Sequence, residues 1–150
     1  MLEVAGKFAG GLVLGLGGIG SCMGVVTAAT AAAGAWANEG KAGKTLAFQY
    51  IIMVAAPISQ TLYAFLIMLQ MKGIAISAEN AVLLLGVGLF GGLIELFSAW
   101  YQGCIGASGI RCLNENGGKG FGLLLMALGI IETVGIFGMV FSIILLKSAT

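Results

Sequence analysis

The chain has 150 residues, of which 59% are hydrophobic and only 9% are charged, and its net charge is +1. A soluble domain keeps roughly a quarter of its residues charged because its surface faces water. This composition therefore excludes an ordinary soluble domain and predicts an integral, multi-pass membrane protein. The chain has no histidine and no basic run, so we expect no nucleic-acid partner, no catalytic residue and no organic cofactor.

Charged residues divide the chain into four long apolar runs. They predict transmembrane helices near 7–38, 44–71, 79–111 and 118–147. Each run exceeds the roughly 20 residues that cross a bilayer. The first is also much longer than the apolar part of a signal peptide, roughly 7–15 residues, so it is read as a mature helix. The expected fold is an all-α membrane protein that forms a single membrane domain over residues 1–150.

Four spans place both termini on one side of the membrane and the two short turns on the other. Four basic residues lie near the turns: Lys41, Lys44, Arg111 and Lys119. Three lie near the termini: Lys7, Lys72 and Lys147. Because basic residues favour the cytoplasmic side, we predict cytoplasmic turns and extracellular termini.

The two halves of the chain repeat each other. Residues 14–20 match residues 85–91, and residues 59–65 match residues 131–137. Two spans separate the copies, so the hairpins 7–71 and 79–147 share one orientation and form a tandem, parallel repeat. Chance similarity between glycine-rich helices is the alternative, but the two matches have nearly the same offset and lie at matching depths.

Helices 1 and 3 carry glycine or alanine on more than one face. Small residues let the backbones of membrane helices approach closely. This pattern favours a crowded inner position for helices 1 and 3 in a ring of many copies, with helices 2 and 4 outside. An ordinary compact four-helix bundle, which needs small residues on only one stripe, is the alternative.

A single carboxylate, Glu132, lies midway along helix 4. An acid within the hydrocarbon is costly unless it is protonated or paired, so it is expected to be functional. Its counterpart in the first repeat is the neutral Gln60, which Ser59 precedes and Tyr63 follows by one turn. Pro57 removes a backbone N–H, which leaves carbonyl oxygens near 53–56 available to a ligand.

Gln102 adds a second amide within helix 3. Oxygen ligands with one negative charge suit a hard, monovalent cation. The alternative is that these polar residues only form hydrogen bonds between helices and bind no ion. Glu95 is a second intramembrane acid, seven residues before Gln102 and hence on nearly the same face, and we expect it at nearly the depth of Glu132.

Three short stretches carry a resemblance to a known family. They are Pro57–Tyr63, Leu96–Ser98 followed by Gln102 and Gly103, and Glu132 with Thr133. Over its full double-hairpin length the chain resembles the membrane rotor protein of V-type ATPases, a proteolipid known as the c or K subunit. The resemblance is closest to the bacterial sodium-transporting members.

The resemblance implies an ion site and a set of partners. It implies Na⁺ ligands from Glu132, Gln60, Gln102, Ser59 and the carbonyl of Ala56. Tyr63 would hydrogen-bond the carboxylate, and a proton (H⁺) could use the same glutamate. The implied partners are a homo-oligomeric ring, a stator protein (the a or I subunit) with a half-channel arginine, a central-stalk protein at the cytoplasmic turns, and lipid. The implied location is a prokaryotic plasma membrane, with ATP hydrolysis left to partner proteins.

The chain departs from this pattern at three positions. Ser59 replaces a threonine, Ala56 replaces a larger apolar residue, and Glu95 stands where a small residue is usual. Glu95 is either a second, proton-carrying carboxyl beside the site or a protonated acid bonded to a neighbour inside the ring. Two other functions stay open: a small proton-coupled secondary transporter or multidrug exporter, and a structural proteolipid.

Overall fold

The computed structural model describes residues 1–148, with the side chain of Leu2 excepted. Within these residues it has four helical spans that are long and apolar enough to cross a membrane. They are the first span Glu3–Lys41, the second span Gln49–Lys72, the third span Ala81–Glu115 and the fourth span Phe121–Lys147. The prediction of an all-α fold with four spans is confirmed.

Three of the four spans are interrupted. The first consists of Leu2–Gly6 and Ala9–Lys41. The second consists of Gln49–Ala55, a 3₁₀ turn over Ala56–Ile58, and Ser59–Lys72. The third consists of Ala81–Gly86, a π-helical segment over Val87–Gly91, and Gly92–Glu115. The 3₁₀ turn contains Pro57, whose ring lacks the N–H that an unbroken α-helix needs.

The second span begins at Gln49, so the predicted start at residue 44 was wrong. The backbone N–H of Ala47 donates a hydrogen bond to Oε2 of Glu39 at 2.9 Å. The carbonyl of Ala47 accepts one from Nε1 of Trp36, also at 2.9 Å. Because both backbone groups of Ala47 bond across to the first span, the chain before Gln49 is held outside a helix.

The turn between the third and fourth spans is displaced by a few residues from its predicted place. The third span continues to Glu115 instead of 111, and the fourth begins at Phe121 instead of 118. Gly117, Gly118 and Gly120 have φ values of 63°, 84° and 90°. These left-handed conformations suit glycine and cannot continue a right-handed helix.

The first and third spans pack against each other more extensively than any other pair. Glycine makes this possible: a Cβ atom built on Gly88 would lie 2.6 Å from the carbonyl oxygen of Ala9. One built on Gly103 would overlap the backbone of Gly24. In their most apolar stretches the third span is 44% buried and the fourth only 17%. The third span is therefore the more interior of the two.

The apolar core has two parts, one towards each membrane surface. The part nearer the termini includes Val13, Ile67 and Leu84. The part nearer the turns includes Met53 and Ile110. Between them lies a layer with several buried polar side chains, which contains the candidate site: Gln60, Glu95, Ser98 and Gln102.

Candidate ion-binding site

Glu132 projects from the fourth span at mid-membrane depth and is half-buried. Its Oε1 accepts a hydrogen bond of 2.8 Å from the hydroxyl of Tyr63 on the second span. Tyr63 lies four residues after Ser59, one helical turn away on the same face of the second span. It therefore connects the carboxylate to the second span, one turn from the residues around the 3₁₀ turn.

Three oxygen atoms gather at the start of the helix that follows the 3₁₀ turn. The hydroxyl oxygen of Ser59 lies 3.1 Å from the carbonyl oxygen of Ala56 and 3.1 Å from Oε1 of Gln60. The hydroxyl has one proton and donates it to one of these acceptors at a time. The break at Pro57 exposes the Ala56 carbonyl to this side chain, because the local backbone follows a tighter helix there.

The two glutamine side chains meet between the second and third spans. Nε2 of Gln60 donates to Oε1 of Gln102 and to the hydroxyl oxygen of Ser98, both at 3.1 Å. Nε2 of Gln102 donates to the carbonyl oxygen of Leu128 at 3.2 Å. The Ser98 hydroxyl donates to the carbonyl oxygen of Ile131 at 3.1 Å. These bonds join the second, third and fourth spans at the level of Glu132.

The five predicted ligands thus belong to two hydrogen-bonded groups. Ala56, Ser59, Gln60 and Gln102 form one group, and Glu132 forms the other with Tyr63. Gln60 and Gln102 are completely buried, whereas Glu132 is flanked on its own helix by the exposed Ile130 and Val134. The amides therefore form the inner part of the site and the carboxylate its outer edge.

Among the described residues, no three His, Cys, Asp or Glu side chains come together as a metal-binding group. A cation at this site would therefore be bound by amide, hydroxyl and carbonyl oxygens around one carboxylate. Such a set suits a hard cation and balances a single positive charge.

Glu95 does not join this network. Its side chain is completely buried, and neither carboxyl oxygen has a hydrogen-bonding partner among the described residues. A Cβ atom built on Gly135 would lie 2.9 Å from Oε2 of Glu95. Gly135 is three residues beyond Glu132, so the Glu95 carboxyl group lies about one helical turn further along the fourth span than Glu132.

Two features of the structure were absent from the predicted site. Ser98 lies four residues before Gln102, and this spacing, which puts both on one helix face, is the signal that could have revealed it. The second feature is a cluster near the turns, where the hydroxyl of Tyr50 donates to Oε1 of Glu39 at 2.6 Å and Asn114 donates to the same oxygen at 3.4 Å. No spacing pattern links these three residues, which come from three spans.

Comparison with known proteins bears on the second half of the chain. Residues 85–145 match the family model of the ATP synthase C subunit. The matched stretch contains Glu95, Gln102 and Glu132 but not the first hairpin. No curated protein matches the chain. The four apolar helices indicate a multi-pass membrane protein, and the second half of the chain is similar to that family.

Proposed function

We propose that the chain is the ion-translocating rotor-ring protein of a V-type ATPase and carries one Na⁺, or one H⁺, on Glu132. The observation that carries this proposal is the layer of polar side chains across the middle of three apolar spans, where Tyr63 bonds to Glu132 and Gln60 bonds to Gln102. The match of residues 85–145 to the ATP synthase C subunit supports the c-type part of the proposal. The chain itself is non-catalytic, and ATP hydrolysis belongs to its partners.

Sodium fits the donor set. The oxygens of Ser59, Ala56 and Gln60 already lie about one hydrogen bond apart, and Glu132 supplies the single negative charge. Oε1 of Gln102 is held by Nε2 of Gln60, so its contribution requires that this hydrogen bond be exchanged for a contact with the cation. Protonation of Glu132 would neutralise the same site without the amides, and H⁺ is therefore the alternative ion.

Glu132 is exposed enough for its bound ion to be exchanged at a stator protein. A charged site cannot cross the lipid, whereas Na⁺ with Glu132, or protonated Glu132, is neutral. The fourth span leaves Glu132 half-buried between exposed apolar residues, so an arginine of the stator could reach it and displace the ion. One ion-carrying acid in four spans halves the ions carried per unit of ring perimeter, which favours a pump over a synthase.

The glycines of the first span support assembly with further copies of the chain. Gly17, Gly20 and Gly24 approach other spans, as their close contacts show. A Cβ atom built on Gly11, Gly15 or Gly18 would meet no other atom of the described residues within 4 Å. The spacing of these three glycines places them on one face. In the proposed ring, this face packs against a neighbouring copy.

The turns are the proposed binding site of the central-stalk protein. Lys41, Lys44, Arg111 and Lys119 are exposed there, which supports a cytoplasmic position for the turns and an extracellular position for the termini. The proposed location is a prokaryotic plasma membrane.

Carbodiimide labelling of the purified protein tests the proposed site. The reagent modifies protonated carboxyl groups, and we expect Glu132 to be labelled at a rate that Na⁺ lowers and K⁺ does not. If Na⁺ does not change the labelling rate, H⁺ remains as the carried ion and the sodium proposal is wrong. Glu132→Gln serves as the control, because it should abolish any Na⁺-sensitive labelling.

A further inference from the structure

Glu95 is a carboxyl group that the proposed ion site does not use. It lies in the third span, four residues after the π-helical segment Val87–Gly91. Its side chain is completely buried, and both of its oxygens lack a hydrogen-bonding partner among the described residues. A buried polar group is nearly always hydrogen-bonded, so this side chain calls for an explanation.

The surroundings of Glu95 cannot compensate a negative charge. On the fourth span it faces Gly135 and Gly138, and on the first span it faces Gly17. The ionisable side chains at this level on the packed spans are Glu132 on the fourth and Tyr63 on the second, and neither supplies a positive charge. An unpaired carboxylate in such a place is strongly unfavourable, whereas a carboxylic acid that keeps its proton is neutral.

Glu95 is also closed off from the route that serves Glu132. Glu132 is half-buried at the outer edge of its network, whereas no atom of Glu95 reaches the surface of the chain. No hydrogen bond connects Glu95 to Ser59, Gln60 or Gln102 among the described residues. A partner that approaches the fourth span from the lipid side therefore reaches one acid and not the other.

We propose that Glu95 is a permanently occupied proton-binding site, whose neutral carboxyl group packs against Gly135 and Gly138 and positions the fourth span one turn from Glu132. Each chain then carries one ion per cycle although it has two acids within the membrane. This reading of the cycle rests on the proposed function, but the protonated state of Glu95 does not.

Packing against glycine is what gives the neutral acid its positioning role. A Cβ atom on Gly135 would lie 2.9 Å from Oε2 of Glu95 and 3.2 Å from the Ser98 hydroxyl oxygen. A Cβ atom on Gly138 would lie 3.4 Å from Oε1 of Glu95. The carboxyl group thus fills the space that two absent side chains leave, and it does so beside the hydroxyl that bonds to Ile131.

Infrared difference spectroscopy of the purified full-length protein tests the proposal. We expect a carbonyl band of a protonated carboxylic acid at neutral pH that Glu95→Gln removes, Glu132→Gln retains and Na⁺ leaves unchanged. The proposal is wrong if Glu95→Gln removes no such band, or if Na⁺ abolishes the band that Glu95→Gln removes. If Na⁺ instead fails to change the contribution of Glu132, the proposed sodium function fails while the assignment of Glu95 stands.

Two further variants cover the case in which Glu95→Gln does not fold. Gly135→Ala places a methyl group against Oε2 of Glu95 and should shift the Glu95 band. Gly129→Ala is the matched control, because a Cβ atom there meets nothing within 4 Å, and it should leave the band in place. An unshifted band in Gly135→Ala would contradict the proposed packing.

In variants that fold, the number of Na⁺ ions bound per chain should be the same in Glu95→Gln as in the unmodified protein. A lower number would overturn the proposal that each chain carries a single ion.

Discussion

The hydrogen bond from Tyr63 to Glu132 gives the sharpest quantitative prediction. Tyr63→Phe removes one hydroxyl and little else, and its loss takes away the 2.8 Å bond to Oε1 of Glu132. A hydrogen bond to a charged group contributes about 1.5–3 kcal/mol, and we take the lower part of that range because Glu132 is half-buried. A loss of about 1.5–2 kcal/mol corresponds to an affinity for Na⁺ that falls by roughly 13- to 30-fold.

The assay is the Na⁺ concentration that halves the rate of carbodiimide labelling at Glu132, normalised to the rate of the same variant without Na⁺. Tyr101→Phe is the matched control, because Tyr101 is 52% exposed on the third span and makes no hydrogen bond with the network. We expect Tyr101→Phe to behave like the unmodified protein. An unchanged Na⁺ concentration in Tyr63→Phe, or an equal shift in both variants, would refute the role given to Tyr63.

Three further predictions concern the network, the turns and the proposed ring. Gln102→Leu removes the partner of Gln60 and should abolish the protection of Glu132 from labelling by Na⁺. It should also lower the free energy of unfolding by about 1–3 kcal/mol, measured by thermal unfolding. Full protection by Na⁺ would exclude Gln102 as a ligand. Glu39→Gln weakens the bonds to the turn and should lower the unfolding free energy by about 1–3 kcal/mol, whereas the exposed Glu79→Gln should not; equal stabilities would contradict the cluster's role. Gly15→Leu should leave the chain helical by circular dichroism but dissociate the ring, whereas Gly129→Leu on the outer span should not; an intact ring in Gly15→Leu would count against this interface.

The number and apolar character of the spans could be predicted because they follow from hydropathy over long windows. The ends of the spans could not. The start at Gln49 depends on a hydrogen bond from Ala47 to Glu39, eight residues away, and hydropathy does not record such a bond. The π-helical segment Val87–Gly91 was likewise not predicted, because its glycine-rich sequence fits an α-helix equally well.

The candidate site was predictable to the extent that polar residues are rare in apolar runs. Glu132, Gln60 and Gln102 stood out for this reason, and the structure places them at one level. Their mutual geometry was not predictable, since spacing along one helix does not fix the register between helices. Glu95 illustrates the limit: spacing gave an expected face and an approximate depth, but not its contacts with Gly135 and Gly138 or its lack of a hydrogen bond among the described residues.

The central claim is that this chain acts as one member of a rotor ring. The most direct test is the number of chains per complex of the purified protein in mild detergent, measured by native mass spectrometry. We predict a large, closed ring of identical chains that resists dissociation. A monomer or a dimer under the same conditions would contradict the rotor proposal.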